Sequence, residues 1–330
     1  MNRPGATETL LSIRGLTITS RTVPGATLVN DIDLDIQKGR VHGLAGESGC
    51  GKSTTALAIM GLLPPGLHRT AGEIHLATPA GPRPLHTLSP RGMRSIRWRR
   101  ISMIFQGAMN ALDPVMRVGE QIHEAIQTHE PELDRPETNQ RVGELLQQVH
   151  LNPARARDYP HQFSGGQRQR LMIALALACR PDLIIGDEPT TALDVITQRQ
   201  ILDLLHELRK DLGLSLLLIS HDLSLLSEVC DDITVMYAGQ VVEQGAPHHV
   251  YTNPRHPYTE RLLAALPTFG PVRQIPTPIP GHPPSPLEPR GAGCAFAPRC
   301  HRADTLCTTT EPAFHEGVTP HHTARCHRPR

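Results

Sequence analysis

Eight residues, Gly46-Glu47-Ser48-Gly49-Cys50-Gly51-Lys52-Ser53, carry the first chemistry in this sequence. They fit G-x-x-x-x-G-K-[ST], a spacing whose glycines let backbone N–H groups turn inward and cradle phosphate oxygens. A helix starting behind the loop adds partial positive charge. In that reading Gly46, Ser48, Gly49, Gly51 and Thr54 are candidate phosphate contacts. Lys52 would reach the β- and γ-phosphates, and Ser53 Oγ would bind Mg²⁺. Cys50 reads as a small filler in the loop, not as a reactive thiol.

Two further groups extend the site. Leu183-Ile184-Ile185-Gly186-Asp187-Glu188 is an apolar run closed by two acids. Asp187 would hold the Mg²⁺ shell, and Glu188 would polarise an attacking water as general base. Ser164-Gly165-Gly166-Gln167 opens a helical stretch, so its amides and Ser164 Oγ form a second anion site at a helix N-terminus. One nucleotide does not need two such sites in one chain. The geometry this implies is a dimer, with each chain's Ser-Gly-Gly-Gln closing on the nucleotide held by the other's phosphate loop.

The elements that must position these residues follow from periodicity. Asp31–Ile36 alternates acid with apolar residue, the pattern of a half-buried strand. Arg40–Leu44, Glu73–Ala77, Ile101–Phe105, Leu183–Gly186 and Leu214–Ser220 are further strands. Ile233–Tyr237 and Gln240–Glu243 suggest a hairpin. Helices are expected over Thr54–Leu63 and through Ile201, Leu204, Leu205, Leu208 and Leu212. Val118, Ile122 and Ile126, then Val142, Leu145, Leu146 and Val149, mark a helical insert over roughly 107–165. The stretch Thr78–Arg100 reads as loop with one short helix. Continuous apolar strands alternating with helices predict an α/β fold with a mainly parallel sheet covered on both faces.

Composition narrows the function. The 330 residues hold 33 Lys+Arg against 32 Asp+Glu, a net charge of +1, which argues against coating nucleic acid through bulk charge. Aromatics are 3%, too few for base-stacking platforms. The longest apolar run, Leu171–Cys179, is half of what a membrane span needs. The first ten residues lack the apolar core of a secretory signal, so a cytosolic, reducing location is expected.

From Pro267 onward the composition changes: 13 of the last 64 residues are proline. Cys294, Cys300, Cys307 and Cys326 fall here with spacing C-x5-C-x6-C-x18-C. Four thiolates can close a zinc site or hold a four-iron four-sulfur cluster. The absence of close C-x2-C pairs favours the cluster; Zn²⁺ and unligated thiols are the alternatives. The neighbouring His301, His315, His321, His322 and His327 read as solvated. The tail reads as a separate module, not a continuation of the sheet.

Together these residues resemble the ATP-binding-cassette (ABC) ATPases. Gln106 after Ile101–Phe105, Ala192-Leu193-Asp194 and Ser220-His221-Asp222 occur in that family's order. The resemblance implies a P-loop NTPase with an antiparallel β subdomain, a helical subdomain at about 107–165 and a small Cys-rich extension. It implies ATP and Mg²⁺ as ligands. Gln106 would couple the metal and γ-phosphate to the helical subdomain, His221 would hold the γ-phosphate and attacking water, and Asp194 would communicate across the dimer. One departure is Ser20, where the family's adenine-stacking aromatic stands; the first aromatic in the chain is Trp98.

The resemblance narrows to ATPase subunits of oligopeptide and dipeptide (peptide/nickel) importers. It rests on Tyr159-Pro160-His161-Gln162-Phe163, Asp187–Val195, His256-Pro257-Tyr258-Thr259, Leu262–Pro267 and Ile279-Pro280-Gly281. Gly107-Ala108 departs from the Asp-Pro usual after Gln106. The implied organisation is a nucleotide-binding domain over 1–250 and an extension over 251–330 with the cluster. The implied partners are a second, related ATPase, two transmembrane permease subunits and an extracytoplasmic substrate-binding protein, with the chain peripheral on the cytoplasmic face of the membrane. Nickel or another metal chelate, or haem, is the alternative cargo. A soluble, non-transport ABC ATPase acting on nucleic acid or ribosomes would show two cassettes, a coiled coil or a basic arm. A metal sensor with a vestigial cassette would lack catalytic residues. Neither pattern is present.

Overall fold

The computed structural model describes residues 8–107, 111–265, 276–288, 290–317, 319 and 321–330. Ala108 and the Leu266-Pro267 end of the tail motif lie outside the described residues. The strands are β1 (Thr9–Ser20), β2 (Thr27–Gln37), β3 (Val41–Ala45), β4 (Leu67–Thr78), β5 (Gly81–Pro84), β6 (Ile101–Ile104), β7 (Leu183–Asp187), β8 (Ser215–Ser220), β9 (Asp232–Tyr237), β10 (Gln240–Gly245), β11 (Phe314–Glu316) and β12 (Thr323–Arg325). The helices are α1 (Lys52–Ile59), α2 (Pro90–Arg94), α3 (Val118–His129), α4 (Arg135–Gln148), α5 (Gly165–Ala176), α6 (Val195–Leu212), α7 (Leu223–Val229), α8 (Pro247–Thr252), α9 (Pro257–Ala264) and α10 (Thr305–Thr309). The chain divides into two compact units, one of residues 1–37, 41–87 and 219–330, the other of residues 38–40 and 88–218.

The first unit holds an antiparallel sheet ordered β2-β1-β4-β5. Its register places Ile13 opposite Leu34 and Leu16 opposite Ile32. Ile32, Leu34 and Ile36 are buried while Asp31 and Asp33 are exposed, which is the alternation written in the sequence. Arg14 and Asp35 pair at 2.7 Å on the solvent side. A second run of strands in this unit is ordered β11-β12-β10-β9-β3. The β3–β9 pair is parallel, with Leu44 opposite Thr234, and all five residues of β3 are buried. Helix α1 begins earlier and ends sooner than the apolar pattern suggests. Gly51 at φ 103° breaks the chain just before Lys52, and Gly61 at φ 61° turns it away after Met60.

The second unit builds β6 and β7 as a parallel pair, Met103 opposite Ile185 and Ile104 opposite Gly186. This register matters for the site, because it brings the residues following both strands to the same edge. Around it, α3 buries Val118, Ile122 and Ile126, and α4 buries Val142, Leu145 and Leu146. Helix α6 turns Ile201, Leu204, Leu205 and Leu208 inward, each burial contributing about 1.5–3 kcal/mol. Gly213 at φ 67° closes it.

Two expectations need correction. The stretch 78–100 also forms β5, the outer partner of β4, with Leu76 opposite Arg83. More important, the tail continues the sheet. Strand β12 pairs antiparallel with β10, Glu243 opposite Ala324 and Gln244 opposite Thr323, and β11 adds outside it. His322, read as solvated, is buried at 2% exposure and its Nε2 lies 2.7 Å from Glu243 Oε1. The physical reason lies in β10. Glu243 is fully buried, so its carboxylate needs donors, which the backbone N–H groups of Arg255 (2.8 Å) and His256 (2.9 Å) and the His322 ring supply. Proline content did not reveal a strand of only three residues.

Candidate ATP site

The phosphate loop lies between β3 and α1 in the first unit. Gly46 has φ 148°, and a Cβ there would stand 2.2 Å from the carbonyl oxygen of Met236. Only glycine lets the loop pass so close to β9. Lys52 is 5% exposed and donates from Nζ to the carbonyls of Gly46 (2.7 Å) and Glu47 (2.9 Å), so its ammonium lies along the inside of the loop. Burial pushes the Cys50 thiol up, opposed by Lys52, as suits a filler and not a nucleophile. Ser53 and Thr54 occupy the first turn of α1. His221 follows β8 in the same unit, held in a turn where Asp222 N–H donates to Ser220 Oγ (3.0 Å) and Asp222 caps α7.

The sequence reading gave Glu47 no role, yet both its side chain and its backbone N–H are held. Arg299 donates from Nη1 to Glu47 Oε2 (2.7 Å) and from Nη2 to Oε1 (3.1 Å). Tyr258 Oη accepts from the Glu47 N–H at 2.8 Å. An acidic side chain in a loop built for anions calls for a cation beside it, and that was the available signal.

In the second unit Asp187 ends β7, 4% exposed, and Glu188 follows at φ 49°, a left-handed backbone that costs roughly 1–2 kcal/mol outside glycine. Because β6 and β7 run parallel, Gln106 arrives beside it. Gln106 Nε2 donates to Glu188 Oε2 at 2.9 Å, and Thr191 Oγ1 donates to the same oxygen at 2.9 Å. The sequence reading gave Thr191 no role of its own, although it lies within the Asp187–Val195 stretch. Ser164 caps α5 in a reciprocal box, with Gln167 N–H donating to Ser164 Oγ (3.3 Å) and Ser164 N–H to Gln167 Oε1 (3.1 Å). Asp194 caps α6 through the N–H groups of Ile196 and Thr197, and the Thr197 hydroxyl at 2.6 Å draws its carboxyl below the usual range. Ser164, Gly165, Gly166, Gln167, Ala192, Leu193 and Asp194 line one pocket. Thus the structure joins Gln106 to Glu188 and Ser164–Gln167 to Asp194, while the phosphate loop and His221 belong to the other unit.

Ser20 takes part in its own turn, its Oγ accepting from the N–H groups of Thr22 and Val23 at 3.1 Å each. In the extension, Cys294, Cys300, Cys307 and Cys326 line one small cavity with His256 and Phe296. Burial lifts the Cys294 thiol to about 11, and the other three thiols add to the rise. Among the described residues, no group of three His, Cys, Asp or Glu side chains is placed to hold a metal ion.

A phosphate loop, two acids closing a buried strand, and a Ser-Gly-Gly-Gln helix cap define the chain as an ABC-type ATPase. Residues 29–191 match the family model described as ABC transporter, and residues 242–307 match that of the oligopeptide/dipeptide transporter C-terminal region. The chain is 41% identical to the oligopeptide transport ATP-binding protein OppD of Salmonella typhimurium, over 99% of this chain and 96% of that one. It is 42% identical to the dipeptide transport ATP-binding protein DppD of Bacillus subtilis, over 92% and 90%. Among solved structures, the dimeric bacterial ABC transporter cassette MJ0796 superposes with a TM-score of 0.62 at 27% identity, covering 72% of this chain and 99% of that one. The chain therefore belongs to the ATP-binding subunits of the oligopeptide/dipeptide ABC importer family. No helix among the described residues is long and apolar enough to cross a membrane.

Proposed function

We infer that this chain hydrolyses ATP to drive uptake of di- and oligopeptides through partner permeases. The observation that carries the chemistry is the Glu188 carboxylate, held by Gln106 and Thr191 at the end of a buried strand. The cargo class rests on similarity to peptide-transport ATPases across nearly the whole chain.

In this reading the phosphate-loop amides from Gly46 to Thr54 bind the triphosphate and Lys52 neutralises its β- and γ-oxygens. Ser53 Oγ and Asp187 would supply hard oxygen ligands of the kind that suit Mg²⁺, and the bound ion would spread the charge on the phosphates. Glu188 accepts the proton of the attacking water, and Gln106 fixes the carboxylate that does so. His221 donates to the γ-phosphate. Ser164, Gly165, Gly166 and Gln167 face the nucleotide of a second, related ATPase, and Asp194 lies at that interface. Two transmembrane permeases and an extracytoplasmic substrate-binding protein complete the assembly, with this chain peripheral on the cytoplasmic face. Wild-type chain assembled with its partners should turn over ATP, and Lys52→Ala should not; equal turnover would reject the site.

The four thiols of the extension are proposed to hold a four-iron four-sulfur cluster. Their chemistry suits soft thiolate ligation, and all four line one cavity. Anaerobic purification followed by iron and sulfide assay tests this: about four of each per chain is expected, and stoichiometric zinc without iron would reject it.

A further inference from the structure

Arg299 sits beside Cys300 in the extension, far in sequence from the nucleotide loop, yet its side chain is 5% exposed against Glu47 of that loop. All three nitrogens of its guanidinium donate hydrogen bonds. Nε donates to the Pro280 carbonyl (2.8 Å), Nη1 to Glu47 Oε2 (2.7 Å) and Tyr237 Oη (3.2 Å), and Nη2 to Glu47 Oε1 (3.1 Å). Behind it Tyr237, Tyr258 and Phe296 pack with ring centroids 4.6–5.4 Å apart. Glu47 is thereby gripped at three points: its carboxylate by Arg299, its N–H by Tyr258 Oη, and its carbonyl by Lys52 Nζ.

We propose that Arg299 is a positioning residue for the ATP site, through which the C-terminal extension holds the phosphate loop in its nucleotide-binding shape and neutralises the one acid in it. Two physical facts carry this. The paired, planar fork fixes both the direction and the charge of the Glu47 side chain, which a single surface ion pair does not do. A carboxylate left uncompensated in a loop that must accept a triphosphate repels it. The extension thus acts on nucleotide affinity and not on the chemical step. The inference rests on the ATPase reading above and deepens it.

The test is steady-state hydrolysis and nucleotide binding by the assembled transporter carrying Arg299→Ala, Arg299→Lys, or Arg299→Gln combined with Glu47→Gln. For Arg299→Ala we expect the KM and Kd for ATP to rise about tenfold or more while kcat changes less than about threefold. Arg299→Lys, which keeps charge but loses the fork, should fall between. The double variant, neutral on both sides and still able to hydrogen-bond, should recover most of the affinity. A merely structural role would lower kcat or assembly without this split and without rescue by the second change. If Arg299→Ala does not fold, Arg299→Lys and the double variant carry the same comparison. Unchanged KM and Kd in folded Arg299 variants would overturn the proposal. A wild-type transporter that hydrolyses no ATP would instead remove the reading beneath it, so the two failures are distinguishable.

Discussion

Gln106 Nε2 stands 2.9 Å from Glu188 Oε2, because β6 and β7 run parallel and end side by side. A carboxylate so held is oriented to accept a proton in one direction. Replacing Glu188 by Gln keeps size and hydrogen bonding but removes the base. We predict a fall in ATP turnover of about 10²-fold or more, with ATP binding retained. Turnover and nucleotide retention on the purified assembly check this; undiminished hydrolysis would displace Glu188 from the role. Gln106→Ala should cost less, since it orients the base and does not replace it.

Ser20 satisfies two backbone N–H groups of its own turn and offers no aromatic face. Base stacking on an aromatic residue is worth about 1–3 kcal/mol. Weak discrimination between ATP and GTP is therefore expected, and Ser20→Tyr should tighten ATP binding by roughly tenfold. Competitive titration of both nucleotides measures it; a strong native preference for ATP would contradict the expectation.

His256 gives the fold an acid-sensitive point. Burial pushes its pKa down to about 4, and its Nδ1 accepts from the Tyr258 N–H at 3.0 Å, which requires the neutral ring. The unfolded chain takes up this proton near the ordinary histidine value of about 6.5, the folded chain only near 4. Between those values the unfolded state binds more protons, so stability falls as pH falls. The effect of this residue is roughly 1 kcal/mol between pH 7.5 and 5.5. Urea titrations at both pH values should show a smaller difference in His256→Asn, which retains a cap acceptor but does not titrate. An identical pH dependence in both proteins would remove His256 as the cause.

Much of this was legible in the sequence, and the rest was hidden for identifiable reasons. The alternation of Asp31–Ile36 and the apolar runs at β7 and β8 reflect burial on one or both faces, so periodicity reports them directly. The phosphate loop and the Ser164 cap are local in sequence, and spacing reveals them. The Glu47–Arg299 pair spans 252 residues, and no local pattern encodes so distant a partner. The same holds for His322 and Glu243, 79 residues apart. The composition of the tail pointed to a separate module because strands of only three residues, β11 and β12, are too short to leave a periodic trace.

Uptake of a labelled dipeptide, in cells lacking other peptide importers and carrying either the wild-type chain or Lys52→Ala, tests the central claim most directly. Unlabelled peptides, nickel and haem serve as competitors. The account predicts that uptake disappears in Lys52→Ala and that only short peptides compete. Dipeptide uptake that is the same in both strains would contradict it.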